Sequence, residues 1–214
     1  MNKSVYSLVL MDEVVEQIDR AAYEMNTSRS NMVNQILAEY VSYVTPEKRM
    51  REVFSRIERM LVGGSAFQRL MQPSESMFSL RSALSYKYNP TIRYSVELYR
   101  NPRPWIGELR VSLRSQNSAL TLAMLQFFKL WTQAERSQIG ETDYAVESTR
   151  YTRRLRLPEA DMDNDALGRA IAGYIELFDR ALKTYFENLH SPALAVRSVE
   201  RLYAGYLRGG APVL

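Results

Sequence analysis

Arginine dominates the chemistry that this chain can offer. Of its 28 basic side chains 23 are arginine, and its 214 residues include no cysteine and a single histidine, His190. Guanidinium groups bind phosphate and carboxylate through paired hydrogen bonds, whereas disulfides, thiolate metal sites and cysteine nucleophiles are excluded. No glycine-rich phosphate loop and no nucleophile motif accompanies the arginines. We therefore expect a protein that is not an enzyme, needs no cofactor or metal, and is able to bind a polyanion.

The densest basic cluster lies within residues 144–157, a segment that we predict to form a strand. Alternation along that strand places Arg154 and Arg156 on one face and Leu155 on the other. Arg93, Arg110 and Arg114 could line the same sheet. The cluster is a candidate contact for an anionic effector or a DNA backbone, and a solvated strand face is the alternative. Its four members are Arg150, Arg153, Arg154 and Arg156.

Three aspartates, Asp161, Asp163 and Asp165, imitate the beginning of a calcium-binding loop. That loop requires glycine at its sixth position and a carboxylate at its twelfth, where this chain has Ala166 and Ala172. Capping of the helix that follows is the better explanation, because acidic side chains favour the beginning of a helix. We expect no metal here.

The first fifty residues contain the elements that would position a binding site. Residues 3–10 alternate as a strand does, with Tyr6, Leu8 and Leu10 on one face and Val5, Ser7 and Val9 on the other. A helix capped by Asp12 follows and ends near Asn26. Ser28 then caps a second helix. This segment carries five basic and seven acidic side chains, a net charge of −2.

One strand and two helices bury too little surface to be stable alone, and the strand has unpaired edges. Dimerisation through the strand would pair a strand edge and bury more apolar surface. In this order and spacing, residues 3–44 resemble the ribbon-helix-helix family of DNA-binding proteins, which includes Arc, MetJ and CopG-like repressors. The resemblance rests on the strand that ends at Leu10, the helix start at residues 11–15 and the turn at residues 27–30.

The resemblance implies an intertwined homodimer whose two-stranded ribbon enters the major groove of double-stranded DNA. The residues that would contact bases are Lys3, Val5, Ser7 and Val9. Those that would contact phosphates, at the beginning of the second helix, are Ser28, Arg29 and Ser30. Because valine reaches a thymine methyl but cannot hydrogen-bond to a base edge, Ser7 and Lys3 would supply the polar readout. A ribbon used for dimerisation alone is the alternative.

The rest of the chain predicts an α+β domain with an antiparallel hairpin and long helices. Apolar alternation marks strands over 92–98 and 109–113, and helical periodicity covers 118–136, 165–189 and 192–207. We therefore divide the chain into a DNA-binding and dimerisation domain (1–45), a connecting helix and linker (46–76), and a regulatory domain (77–214). The last would sense a small-molecule effector, bind a protein partner or build a higher oligomer.

Together these features predict a sequence-specific transcriptional regulator, a repressor, that its C-terminal domain modulates. An antitoxin, or an accessory protein of plasmid mobilisation or partition, would use the same DNA-binding dimer and is the alternative. No apolar run approaches the roughly 18 residues that a membrane span needs. The apolar stretch at residues 5–11 is too short for a signal peptide. We expect a cytoplasmic protein without a membrane partner.

Overall fold

The computed structural model describes residues 5–64, 66–71, 74–102, 104–156 and 162–214. They form two compact units. Unit 1 ends at Arg49, and unit 2 begins at Met50 and extends to the C-terminus. The described residues contain six helices and one six-stranded antiparallel sheet, which confirms the predicted α+β class.

Unit 1 is a pair of helices, α1 (Asp12–Glu24) and α2 (Arg29–Tyr40). Asn26 ends α1 in the left-handed conformation (φ 49°), as its position predicts. Met11, and not Asp12, occupies the N-cap of α1. Residues 5–10 contain no strand, and the sheet follows the first three helices. Because a ribbon of the predicted kind requires pairing between two chains, it stays a prediction.

Helix α3 (Pro46–Leu61) crosses from unit 1 into unit 2. The sequence analysis treats it as part of a connector, but from Met50 onward it contributes to the core of unit 2. Its apolar side chains recur at helical spacing and, apart from Met60, are buried, whereas its arginines occupy other positions. The buried residues of α3 are Met50, Val53, Phe54, Ile57 and Leu61.

The sheet has the strand order β1-β2-β3-β4-β6-β5. The predicted hairpin is confirmed by the antiparallel pairing of β3 with β4, in which Val96 lies opposite Leu109. Within the segment 144–157, where one strand is predicted, residues 144–156 form a hairpin of two strands. Strands β1 and β2 were not predicted. The strands are β1 (Phe67–Arg69), β2 (Met77–Ala83), β3 (Thr91–Leu98), β4 (Trp105–Leu113), β5 (Tyr144–Glu147) and β6 (Arg150–Arg156).

Helices cover one face of this sheet. Helices α4 (Ser118–Ile139), α5 (Asn164–Glu187) and α6 (Pro192–Arg208) agree closely with the three predicted segments. With α3 they enclose an aromatic core in which the rings of Trp131 and Phe178 lie 4.9 Å apart. The opposite face of the sheet is polar, and most of its side chains are exposed or half-buried. Within the described ranges, no helix combines the length and apolarity needed to cross a membrane.

Candidate nucleic-acid interface

The turn between α1 and α2 presents the beginning of α2 to solvent. Ser28 Oγ accepts a hydrogen bond from the Asn31 amide at 3.3 Å, and Asn31 Nδ2 donates to Thr27 Oγ1 at 2.8 Å. This is the predicted N-cap. The amides of Arg29 and Ser30 precede the first intrahelical donor, and both residues are exposed. The helix therefore directs its partly positive end toward any phosphate that approaches the turn.

The side chain of Arg29 is engaged within unit 1. Its Nε and Nη2 donate to the two carboxylate oxygens of Asp19 at 2.6 and 2.5 Å, and so link α2 to α1. The hydrogen bond from Arg29 holds the pKa of the Asp19 carboxyl below its ordinary value. At this turn the backbone amides and the serine hydroxyls, and not the guanidinium, are therefore the groups available to a phosphate.

The segment predicted to read DNA precedes α1. Among the base-contacting candidates Val5, Ser7 and Val9 are exposed, and Lys3 lies outside the described residues. On the face predicted to turn inward, exposure falls steadily from 81% at Tyr6 to 61% at Leu8 and 43% at Leu10. Val5 and Val9, on the other face, are fully exposed. All residues of the segment 5–10 are exposed, and only on the face of Tyr6, Leu8 and Leu10 does the exposure decrease toward α1.

Unit 1 leaves much apolar surface uncovered. Its core consists of three buried side chains, those of Ile18, Ala22 and Met32. A shallow groove on the helix pair is lined mainly by apolar side chains. So small a core stabilises a chain of this length poorly, and exposed apolar surface of this extent marks an interaction site. The exposed apolar residues of its two helices, with the C-cap residue of α1, are Val14, Tyr23, Met25, Ile36, Leu37 and Tyr40.

Strand β6 divides the basic cluster between the two faces of the sheet. Arg150, Arg154 and Arg156 are exposed on the open face, the side of the sheet that the helices leave uncovered, whereas Arg153 is buried beneath the helices. Register places Arg93 and Arg110 on the open face as well. Arg154 pairs with Asp143 at 3.0 Å and Arg150 with Glu147 at 3.4 Å.

Arg153 belongs to a buried polar cluster that the sequence analysis missed. Its Nε lies 3.2 Å from Glu135 Oε1, with the geometry of an ion pair rather than of an aligned hydrogen bond. Glu135 also accepts hydrogen bonds from the hydroxyls of Tyr151 (3.0 Å), Tyr174 (2.8 Å) and Tyr203 (3.4 Å). No local pattern signals this contact, because its members come from four separate elements.

Burial sets the ionisation of this cluster. It raises the pKa values of Tyr151 and Tyr174 well above the ordinary value, and the nearby Glu135 carboxylate raises them further. Burial alone would lower the pKa of Arg153, but the oxygens of Tyr174 and Glu135 raise it. The cluster is thus held as one charged pair surrounded by neutral phenols. Such an arrangement stabilises the interior and offers no surface for a ligand.

A second polar network that the sequence analysis missed joins α5 to the sheet. Tyr94 donates to Asp179 Oδ1 at 2.9 Å, and Lys183 Nζ donates to Asp179 Oδ2 at 2.6 Å and to Ser82 Oγ at 2.8 Å. The available signal was the spacing of four between Asp179 and Lys183, which pairs opposite charges on a helix. Because the buried carboxylate has partners on both oxygens, the network serves packing.

The acidic residues after residue 160 act at the beginning of α5. Asp163 Oδ1 accepts a hydrogen bond from the Ala166 amide at 2.6 Å, and Asp165 forms ion pairs with Arg56 (3.4 Å) and Arg169. Asp161 lies outside the described residues. In the part of the chain that the structure describes, no group of three or more histidine, cysteine or acidic residues is placed to hold a metal ion. Asp163 thus caps α5 as predicted, and the ion pairs of Asp165 are an additional role that the sequence analysis does not predict.

Comparison with protein-family models, with curated proteins and with solved structures finds no match to this chain. A functional assignment therefore depends on the residues themselves. Two surfaces offer groups that suit nucleic acid: the beginning of α2 with the segment before α1, and the open face of the sheet.

Proposed function

We propose that this protein is a homodimeric, sequence-specific DNA-binding repressor, in which residues 3–10 of two chains pair as a β-ribbon that enters the major groove. The observation that carries the proposal is the apolar surface of unit 1. An exposed segment with apolar alternation precedes two helices whose shared core consists of three buried side chains. A partner must cover that surface for the unit to be stable.

A second copy of the same segment is the partner that fits. Two-fold symmetry pairs a strand with itself in the antiparallel sense, so each edge satisfies the other. The inward face of the ribbon, Tyr6, Leu8 and Leu10, then lies against the four helices of the dimer. These are the side chains whose exposure already falls toward α1.

The outward face of such a ribbon supports DNA recognition. Val5 and Val9 would contact thymine methyl groups, and Ser7 with Lys3 would hydrogen-bond to base edges or the groove rim. The amides of Arg29 and Ser30 would hold a phosphate on each side and set the register of the dimer on its site. The guanidinium of Arg29 is bound to Asp19, so only neutral amide donors remain for a phosphate. We therefore expect few phosphate contacts at this turn.

Unit 2 would modulate this activity. Its extent, from Met50 to the C-terminus, and its packed core suit a domain that senses a small-molecule effector, binds a protein partner or joins dimers into a higher oligomer. Arg150, Arg154 and Arg156 are accessible to an anionic effector, whereas the buried Arg153 is not. A packed domain also differs from the short disordered tail typical of antitoxins, which favours the regulator over that alternative.

The test is affinity capture of sheared genomic DNA by the full-length protein, followed by sequencing of the bound fragments. We expect a few palindromic sites to be strongly enriched. Ser7→Glu places a negative charge where the ribbon meets DNA and abolishes the enrichment. Ser55→Glu makes the same change on an exposed position of α3 and leaves the enrichment intact. Weak recovery that is uniform across the genome and equal in all three proteins would refute the proposal.

A further inference from the structure

We infer that the open face of unit 2 carries a second DNA contact, a row of arginines that binds backbone phosphates without reading sequence. The inference rests on the proposed function and adds a separate site to it. The row crosses four adjacent strands in register: Arg81 lies opposite Arg93, Arg93 opposite Ser112, and Ser112 opposite Arg150. We call these four residues the arginine row.

Geometry gives the row the form of a line. Residues opposite one another in neighbouring strands have side chains on the same face. Strands lie about 4.8 Å apart, so the Cα atoms from Arg81 to Arg150 span about 14 Å. The three arginines are exposed and Ser112 is half-buried between them. A flat line of donors suits a succession of phosphates, whereas a small anion is usually held in a concave pocket.

Arg81 and Arg93, which lie opposite one another at one end of the row, repel each other when no anion is bound. Like charges directly opposite one another in a sheet are destabilising. Arg81 donates to the neutral Gln68 at 2.9 Å, and Arg93 donates to the neutral Ser79 at 3.4 Å. Among the residues that the structure describes, no carboxylate pairs with either guanidinium. A bound phosphate would compensate both charges through strong, charge-assisted hydrogen bonds.

Elsewhere on the open face most guanidinium groups have a carboxylate partner, and among the described residues Arg156, at the end of β6, is the exception. Arg110 is neutralised by Glu97 at 2.8 Å and by Glu108, and Arg154 by Asp143. At the far end of the row, Arg150 and Glu147 are both more than half exposed and 3.4 Å apart. Such a surface pair is weak, so a phosphate can compete for Arg150. Apart from Arg156, the uncompensated charge of the open face therefore lies in the row.

Duplex DNA fits the row better than single-stranded nucleic acid does. Proteins that hold single strands stack the bases on aromatic side chains, and the row itself contains none. Arginines with a serine hydroxyl provide contacts to phosphate oxygens, which position a protein on a duplex without selecting its sequence.

The test compares full-length variants for binding to two duplexes: a site recovered by genomic capture and an unrelated sequence of the same length. Each lost phosphate contact reduces the slope of log Kobs against log[salt] by about 0.9. Arg81→Gln with Arg93→Gln should therefore lower the slope by about 1.8 for each chain on the DNA. Both duplexes should lose affinity by the same factor, so the preference for the site is retained.

The matched control is Arg197→Gln with Arg201→Gln, which makes the same change in net charge on exposed positions of α6. It should keep the wild-type slope. Arg81→Lys with Arg93→Lys keeps the charge and should restore most of the slope, which separates lost phosphate contacts from misfolding. An Arg81/Arg93 glutamine variant with the wild-type slope would overturn the inference and leave the proposed function standing.

Failure of the proposed function has a different signature. A wild-type protein that binds neither duplex overturns both proposals. If the wild type binds both duplexes equally and Ser7→Glu changes nothing, the ribbon does not read DNA. A slope that still depends on Arg81 and Arg93 in that case would support the row on its own.

Discussion

Arg153 Nε lies 3.2 Å from Glu135 Oε1 in the interior of unit 2, and neither side chain is accessible to solvent. The guanidinium also lies over the ring of Tyr174, 5.0 Å from its centroid. A buried ion pair depends on additional hydrogen bonds to offset the cost of its desolvation, and Arg153 Nε and Nη1 themselves make no hydrogen bond. Here three tyrosine hydroxyls complete the coordination of the carboxylate. The contact ties β6 to α4, α5 and α6.

Removing one partner of this pair should be costly. Glu135→Leu leaves a buried, unpaired guanidinium and should destabilise the protein by about 3–5 kcal/mol. Adding Arg153→Met to that variant should recover a large part of the loss, since both charges are then absent. Urea unfolding measures the free energies. The control is Glu141→Gln, which removes the exposed partner of Arg136 and should cost at most about 1 kcal/mol. Equal losses in the two single variants would contradict this.

Alkaline pH should unfold unit 2. Burial raises the pKa values of Tyr94, Tyr151 and Tyr174 well above normal and that of Tyr206 to about 12. Tyrosines of the unfolded chain ionise near about pH 10. Their contribution to stability is therefore complete below that pH and is lost as the pH rises through the folded values.

Spectrophotometric titration of the phenol groups, run beside circular dichroism, would follow this loss. The titration covers exposed tyrosines, such as Tyr23 and Tyr88, as well as buried ones. The buried ones should ionise together with the loss of structure. A single ionisation step of all tyrosines near pH 10 in a protein that remains folded would show that burial does not protect them.

Two helical glycines should respond to alanine in opposite directions. A Cβ on Gly168 would lie 2.6 Å from Arg56 Cβ and 2.9 Å from the Val53 carbonyl oxygen, so it would force α5 away from α3. Gly168→Ala should cost about 1–3 kcal/mol by overpacking. Gly205 has no heavy atom within 4 Å of the added Cβ, and Gly205→Ala should stabilise α6 by up to about 1 kcal/mol. Thermal unfolding compares them, and equal shifts would show that α3 and α5 do not approach closely at Gly168.

The two faces of residues 5–10 should respond differently to a charge. Leu8→Glu buries a carboxylate twice in the proposed dimer and should weaken self-association by at least about 100-fold. Ser7→Glu puts the same charge on the outward face and should leave the dimer intact while it removes DNA binding. Sedimentation velocity distinguishes monomer from dimer. A Leu8→Glu protein that sediments like the wild type would show that this segment does not form the interface.

Local periodicity was sufficient to predict most of the elements. The alternation of residues 92–98 and 109–113 predicted the β3–β4 hairpin, and helical spacing predicted α4, α5 and α6. The sequence identifies Ser28 as a cap and Asn26 as a helix end because capping involves only backbone groups a few residues away. Strand β2 was missed because its apolar alternation is short: after Phe78 and Leu80 the next residue on the same face is Ser82, which is nevertheless buried. Strand β1, with three residues, is too short to show any pattern.

Tertiary structure decided which residues meet. Strand alternation separates Arg153 from Arg154, but only the packing of the helices decides that the face of Arg153 is the buried one. The sequence shows no connection between Arg153 and Glu135, between Arg29 and Asp19, or between Arg81 and Arg93. The periodicity of apolar side chains follows from the local backbone geometry of a helix or a strand, so it can be recognised in the sequence directly. Which side chains contact one another depends on strand register and on the packing of helices that are distant in the sequence. These contacts therefore exist only in the folded chain.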